Sequence, residues 1–206
     1  MRKGWDIVGA ILAWSAVIVQ FILMIQNRQA EVGETIIRFF SYFTILTNTL
    51  VAIYFTLRAA GSVSFFTRPG AVTAMTALIL VVGIVYQVIL RGIWMPTGLQ
   101  RYVDELLHSL NPLYMMLYFY LFAGPEDYRF RKIWPWLSYP AAYFIVVIMR
   151  GGVSGFYPYA FLDVSAVGLG RVSFNFLLIS VFTLLLIGAL IWTGRAIHRR
   201  RMAGPA

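Results

Sequence analysis

The chain has 206 residues, of which 60% are hydrophobic and only 12% charged, a balance that excludes an ordinary soluble domain and reads as an integral membrane protein. It has no cysteine, so a disulfide framework and thiolate chemistry are both excluded. The net charge of +9 reads as basic loops facing anionic lipid, not as a nucleic-acid surface.

Crossing a bilayer core takes roughly 20 residues of helix. Six apolar segments meet or approach that length, at 5–25, 36–57, 71–91, 103–123, 134–150 and 172–194. The first follows Arg2 and Lys3 but is too apolar for too long, with no small-residue cleavage site, so it reads as a retained helix and not a signal peptide. Eleven of the seventeen basic residues lie in the termini and the second and fourth connections, and six in the others. That bias predicts both termini in the cytoplasm, and the expected location is a cell inner (plasma) membrane. The expected fold is all-α: a polytopic membrane protein, residues 1–206, of six transmembrane helices with a polar cup toward the outer side.

The cytoplasmic connections are turn-rich (59–70) or basic (124–133), and the tail 195–201, with His198, reads as a solvated anchor. The fifth connection, 151–171, runs GGVSGFYPYAFLDVSAVGLGR. It is too apolar for a solvated loop and too broken for a helix. Two readings stand: a re-entrant or interfacial cap over the outer end, or an aromatic belt at the headgroups.

Polar residues gather at the outer end. On the second segment Ser41, Thr44 and Asn48 share one face by i, i+3, i+7 spacing. At about 1.5 Å per residue, Thr44 lies roughly 8–12 Å below the outer end of its helix, and His108 roughly 8–9 Å below Tyr102 on its own. His108 is the one histidine within a span, and an ionisable group there has a functional default reading. Asp104, His108 and Asn111 form a stripe at i, i+4, i+7, so Asp104 is placed to fix the His108 tautomer. Pro112 lacks an amide hydrogen and crowds the carbonyl four residues back, predicting a loosened turn at His108. The inner halves are mostly apolar, which argues for a cup and against a conduction path.

A threonine hydroxyl in a span usually bonds back to its own helix, so a nucleophilic role for Thr44 requires a base within reach. A zinc site would have only His108, Asp104, Glu105 and Asp163 to draw on at this end, and one histidine with carboxylates makes a thin competitor to the Thr–His reading. No nucleophile elbow, phosphate-binding glycine loop or dinucleotide fingerprint is present, and no cofactor is called for.

The segments SYFTILTNTLVA (41–52), LLHSLNPLYMMLYF (106–119), IWPWLSYPAAY (133–143) and RGGVSGFYPYAFLDV (150–164) together resemble the bacterial six-span Pr6Pr family. The chain is more distantly similar to the eukaryotic androgen-induced six-span threonine hydrolases, which cleave fatty acid esters of hydroxy fatty acids with an intramembrane Thr and His. In that resemblance Tyr42-Phe43-Thr44 looks like the threonine segment, and His108 followed by Pro112 like the histidine segment. It implies a membrane lipid ester as substrate, with Thr44 as nucleophile and His108 as base.

The expectation is therefore a lipid-ester hydrolase in which Thr44 attacks, His108 moves the proton and Asp104 orients His108. Asn48 or Asn111 would donate to the oxyanion. Arg91, Arg150 or Arg171 would hold a carboxylate at the surface, with Asp163 and Asn175 also lining the substrate site. The aliphatic inner half would take the acyl chain. The competing expectation is a non-enzymatic binder or transporter of a small amphiphile using the same cup.

Overall fold

The computed structural model describes residues 1–203, and every regular element among them is helical. Four helical stretches are long and apolar enough to cross a membrane: α1 (Arg2–Gln26), Ala71–Leu90, Phe130–Ser154 and α10 (Leu169–Met202). A fifth is a bent pair, α2 (Val32–Phe39) and α3 (Phe43–Ala59), whose axes meet at 71°. This is the architecture of a multi-pass membrane protein. The segment expected at 103–123 is helical too, as α5 (Gly98–Glu105), a π-helical turn (Leu106–Leu110) and α6 (Asn111–Phe122). It is not among the stretches apolar enough to span, because Asp104, Glu105, His108 and Asn111 dilute it.

The middle of the bundle is α4 (Ala71–Val85), which runs on into a second π-helical turn, Tyr86–Leu90. Its sequence is nearly all Ala, Val, Leu, Ile and Thr, so it offers no polar face, and every residue from Ala71 to Gly83 is buried. It packs against α3, α6 and α10. By contrast α1 and α10 turn rows of large apolar side chains outward, among them Ile7, Ile11, Ile18, Leu177, Leu184 and Leu185. Those rows are what lipid tails require. Between helices in lipid the hydrophobic effect does not discriminate, so close packing at small residues carries the association. Gly9 of α1 lies against the Phe55 ring of α3, where an added Cβ would come within 2.7 Å of it.

Two local departures from the sequence reading shape the site. The second span is not one helix over 36–57. It breaks at Phe40–Tyr42, where Ser41 N–H and Tyr42 N–H close tight turns onto Arg38 O and Phe39 O. Ser41 Oγ bonds back to Ile37 O (2.7 Å), and the Ser41 carbonyl accepts from Tyr143 Oη (2.9 Å) of α8 (Ser138–Ser154). Ser41 thus leaves the face expected to hold Thr44 and Asn48. The fifth connection is shorter than expected, since α8 runs to Ser154 and α10 starts at Leu169. Gly155 (φ +67°) and Gly168 (φ +80°) supply the positive φ at its two ends, which only glycine adopts cheaply. Between them, residues 155–168 fold back as a cap. Leu162 is buried with Val147 of α8 and Val172 of α10.

Candidate functional site

Thr44 is the second residue of α3, and that position frees its hydroxyl. Ser41, Thr49 and Thr56 each bond back to a carbonyl four residues earlier, at 2.7–2.8 Å. Thr44 makes no such bond, because the break puts the carbonyl four residues before it outside its helix. Its Oγ1 instead lies 3.4 Å from His108 Nε2 and 3.3 Å from Tyr159 Oη of the cap. Its main-chain N–H, one of the unsatisfied amides that any helix start carries, donates to Tyr159 Oη at 3.3 Å.

His108 is held from the other side. Its Nδ1 is 2.9 Å from the Asp104 carbonyl oxygen and 3.3 Å from Asp104 Oδ1. Both oxygens only accept, so the proton sits on Nδ1 and Nε2 is left as an acceptor for the Thr44 hydroxyl. Asp104 therefore orients His108 as expected of its spacing, but its main-chain oxygen makes the shorter approach. The Tyr86 ring stacks on the imidazole, centroids 4.1 Å apart and planes 16° from parallel. Gly83 of α4, lacking a Cβ, allows the His108 carbonyl and Pro112 to sit directly on that helix.

The π-helical turn around His108 has a covalent cause. Pro112 has no N–H, and Asn111 N–H reaches back five residues to Leu106 O. The Leu107 carbonyl is left for a side chain, and Asn48 Nδ2 donates to it (3.3 Å) as well as to Thr44 O (2.9 Å). Asn111 Nδ2 completes the bridge by donating to Asn48 Oδ1 at 2.8 Å. Both asparagines are buried, and their amides lock α3 to α6 beneath the Thr44–His108 pair.

Two cavities meet at Thr44. One, of about 620 Å³, is lined by Thr44, His108, Asp104 and Tyr159 together with polar groups such as Gln20, Gln100 and Arg38. The other is a narrow apolar crevice of about 70 Å³ between α4, α8, α10 and the cap, walled by Val82, Phe144, Phe176 and Ile179. Phe144 and Phe176 stack across its side at 4.1 Å. Thr44, Leu90 and Tyr159 border both spaces. The apolar space thus opens beside Thr44, not in the far half of the bundle where the sequence reading put it.

The remaining residues named from the sequence lie elsewhere. Among the described residues that line the two cavities, Asn48, Asn111, Arg91, Arg150, Asp163 and Asn175 do not appear. Arg91 pairs with Glu105 and Gln87, and Arg150 bonds Glu34 Oε1 at 2.7 Å, which also accepts from Arg38. The guanidinium of Arg171 lies 6.0 Å from the Phe174 ring centroid. Asn175 Nδ2 ties α10 to the cap through Phe161 O (2.9 Å). Asp163 caps the short α9 (Val164–Val167), accepting from Ser165 N (2.9 Å) and Ala166 N (3.1 Å). The Ser165 hydroxyl, with those amides, holds its carboxyl below the usual range. Tyr86, Gln20, Gln100 and Tyr159 are the site residues that sequence spacing did not single out. Tyr86 and Tyr159 carried the weakest signal, being two of 12 tyrosines.

No group of three or more His, Asp or Glu side chains converges among the described residues to hold a metal ion. What the fold and site define is a multi-pass helical membrane protein with a buried Thr–His pair at the junction of a polar and an apolar cavity. Comparison of the chain with protein-family models, curated proteins and solved structures gives no match.

Proposed function

We propose that the protein is a membrane-embedded hydrolase of lipid (fatty acid) esters with Thr44 as nucleophile and His108 as general base. The observation that carries this is the hydroxyl of Thr44 directed at the free Nε2 of His108, whose Nδ1–H is held by Asp104. A weak alcohol nucleophile needs that base, and the base needs an orienting third group. The resemblance of 42–44 and of 106–112 to the threonine-hydrolase segments supports the same assignment.

In the first step the Thr44 Oγ1–C bond forms as the carbonyl π pair moves onto oxygen, and His108 Nε2 takes the hydroxyl proton. The tetrahedral species collapses, the alkoxy leaving group departs with the proton from His108, and an acyl-Thr44 ester remains. Water, losing a proton to His108, then attacks that ester; the acyl–Oγ1 bond breaks, His108 returns the proton to Thr44 Oγ1, and the carboxylic acid leaves. The two cavities suit a substrate with an apolar arm and a polar one: the crevice beside Phe144 takes the chain, and the larger cavity takes the polar remainder. The crevice is narrow as it stands, so an acyl chain enters by parting the Phe144–Phe176 stack.

The topology proposed with this function has six spans, with the segment 98–122 crossing as the fourth, both termini in the cytoplasm and the cavities toward the outer leaflet of the inner membrane. The distribution of basic residues supports it. Purified protein is expected to cleave a chromogenic fatty acid ester and to be labelled at Thr44 by an activated phosphonate. Thr44→Ala and His108→Ala abolish both, while Thr44→Ser retains turnover. Wild-type protein that cleaves nothing, yet carries an intact amphiphile detectable by mass spectrometry, would instead make this a binder or carrier of that molecule.

A further inference from the structure

The cap brings one polar side chain, Tyr159, directly against Thr44. Tyr159 Oη is 3.3 Å from both the amide nitrogen and the hydroxyl oxygen of Thr44. The directions of these bonds follow from their neighbours. Thr44 O–H is committed to His108 Nε2 and Thr44 N–H points at the phenol oxygen, so the Tyr159 proton is directed at Thr44 Oγ1. Other polar groups nearby are engaged elsewhere: Asn48 on the carbonyls of Thr44 and Leu107, Tyr143 on Ser41 O, and Tyr139 on Thr47. The Tyr159 ring is fixed, stacked on Phe161 (5.2 Å, 10°) and edge-on to Tyr42 (5.8 Å, 88°).

We propose that Tyr159 is a catalytic residue, donating its phenolic O–H, together with the Thr44 N–H, to the oxygen that becomes negative when Thr44 attacks an ester. This rests on the hydrolase reading of the Thr44–His108 pair. An acyl oxygen on a carbon newly bonded to Oγ1 sits next to Oγ1, within reach of the two donors that now meet there. When it arrives, the Thr44 amide exchanges the phenol oxygen for the acyl oxygen, and the phenol turns its proton from Oγ1 to that same oxygen. Tyr159 keeps its proton throughout; the only proton that moves shuttles through His108. Side-chain hydroxyls and main-chain amides aimed at developing charge in a water-poor site are the usual construction of an oxyanion site. An amide of the nucleophile's own residue serves this purpose in serine hydrolases too.

The test is Tyr159→Phe, which keeps the stacked ring and removes only the hydroxyl. Turnover of the chromogenic ester is expected to fall by about 10²–10³ in kcat, the loss typical of one oxyanion donor, with little change in KM. Phosphonylation of Thr44 should slow in parallel, and the phosphorus NMR signal of the adduct should shift, because its phosphoryl oxygen has lost a donor. Replacing Tyr159 with fluorotyrosines, whose more acidic phenols are stronger donors, should restore turnover. If wild type turns over, Thr44→Ala does not, and Tyr159→Phe keeps its kcat and an unshifted phosphorus signal, the role of Tyr159 is overturned and the hydrolase reading stands. If wild type neither turns over nor is labelled at Thr44, both fall together.

Discussion

Gly83→Ala isolates how closely the His108 turn must sit. A Cβ built on Gly83 falls 2.9 Å from the His108 carbonyl oxygen and 3.1 and 3.2 Å from Cγ and Cβ of Pro112. None of these is the free end of a flexible side chain; one is main chain and two belong to a rigid ring. The π-helical turn as a whole must therefore move away from α4 by several tenths of an ångström. The stability terms nearly offset each other. Overpacking costs about 1–3 kcal/mol, and replacing glycine by alanine inside a helix returns about 1 kcal/mol, so a net loss of about 0–2 kcal/mol is expected. The proposed catalysis has no such offset. The Thr44–His108 approach is already 3.4 Å, and misplacement by about 1 Å costs on the order of 10²-fold in rate. Gly83→Ala should thus fold in detergent with a modest drop in melting temperature yet lose about 10–100-fold in kcat, phosphonate labelling of Thr44 falling with it. Gly188→Ala, on α10 with nothing within 4 Å of the new Cβ, is the matched control and should change neither. A Gly83→Ala variant with wild-type kcat would refute the claim that this contact sets the position of His108.

Asp104→Asn should cost far less than the roughly 10⁴-fold seen when the acid of a Ser-His-Asp triad is so changed, because the main-chain oxygen still fixes the His108 tautomer; a pH–rate profile and kcat check it. Asn48→Ala strands the Leu107 carbonyl and the Asn111 amide, at a cost of about 1–3 kcal/mol for each buried group left unpaired. Asn111→Ala removes part of the same bridge, so the double variant should lose less than the sum of the singles in detergent unfolding. The lowered carboxyl of Asp163 stabilises the cap fully above its ordinary value of 3.8, and that contribution is lost as pH falls through the lower folded value. Amide hydrogen exchange at Ser165 and Ala166 should therefore accelerate, relative to an unstructured reference peptide, on going from pH 6 to pH 3. Asp163→Asn should remove that pH dependence.

Composition and apolar run length were enough to read an all-helical, multi-pass membrane fold, because both report directly on the solvent the chain must satisfy. Pro112 likewise announced a disturbed turn at His108, since a missing amide hydrogen is a covalent fact. The i, i+4 spacing placed Asp104 beneath His108 for the same reason: within one helix, sequence separation is distance. What was not legible depends on contacts between distant segments. The α2–α3 break carries no proline or glycine; it is held by Ser41 bonding Ile37 and by Tyr143 from α8. Arg150 was read as a free cation because nothing in its own helix reveals Glu34, 116 residues away. Asn48 and Asn111 were read as facing substrate, although each supplies what the other and the proline-freed carbonyl lack.

Tyr159 stands 115 residues after the threonine it touches and enters from a cap strung between the last two long helices. During synthesis Thr44 and His108 are therefore both made before the tyrosine that completes their surroundings. On the proposed mechanism, a nascent chain arrested before the cap would hold Thr44 and His108 without the Tyr159 hydroxyl, and its turnover should be lower for that reason. The last two long helices and the cap between them are thus the part of the chain that brings Tyr159 to Thr44.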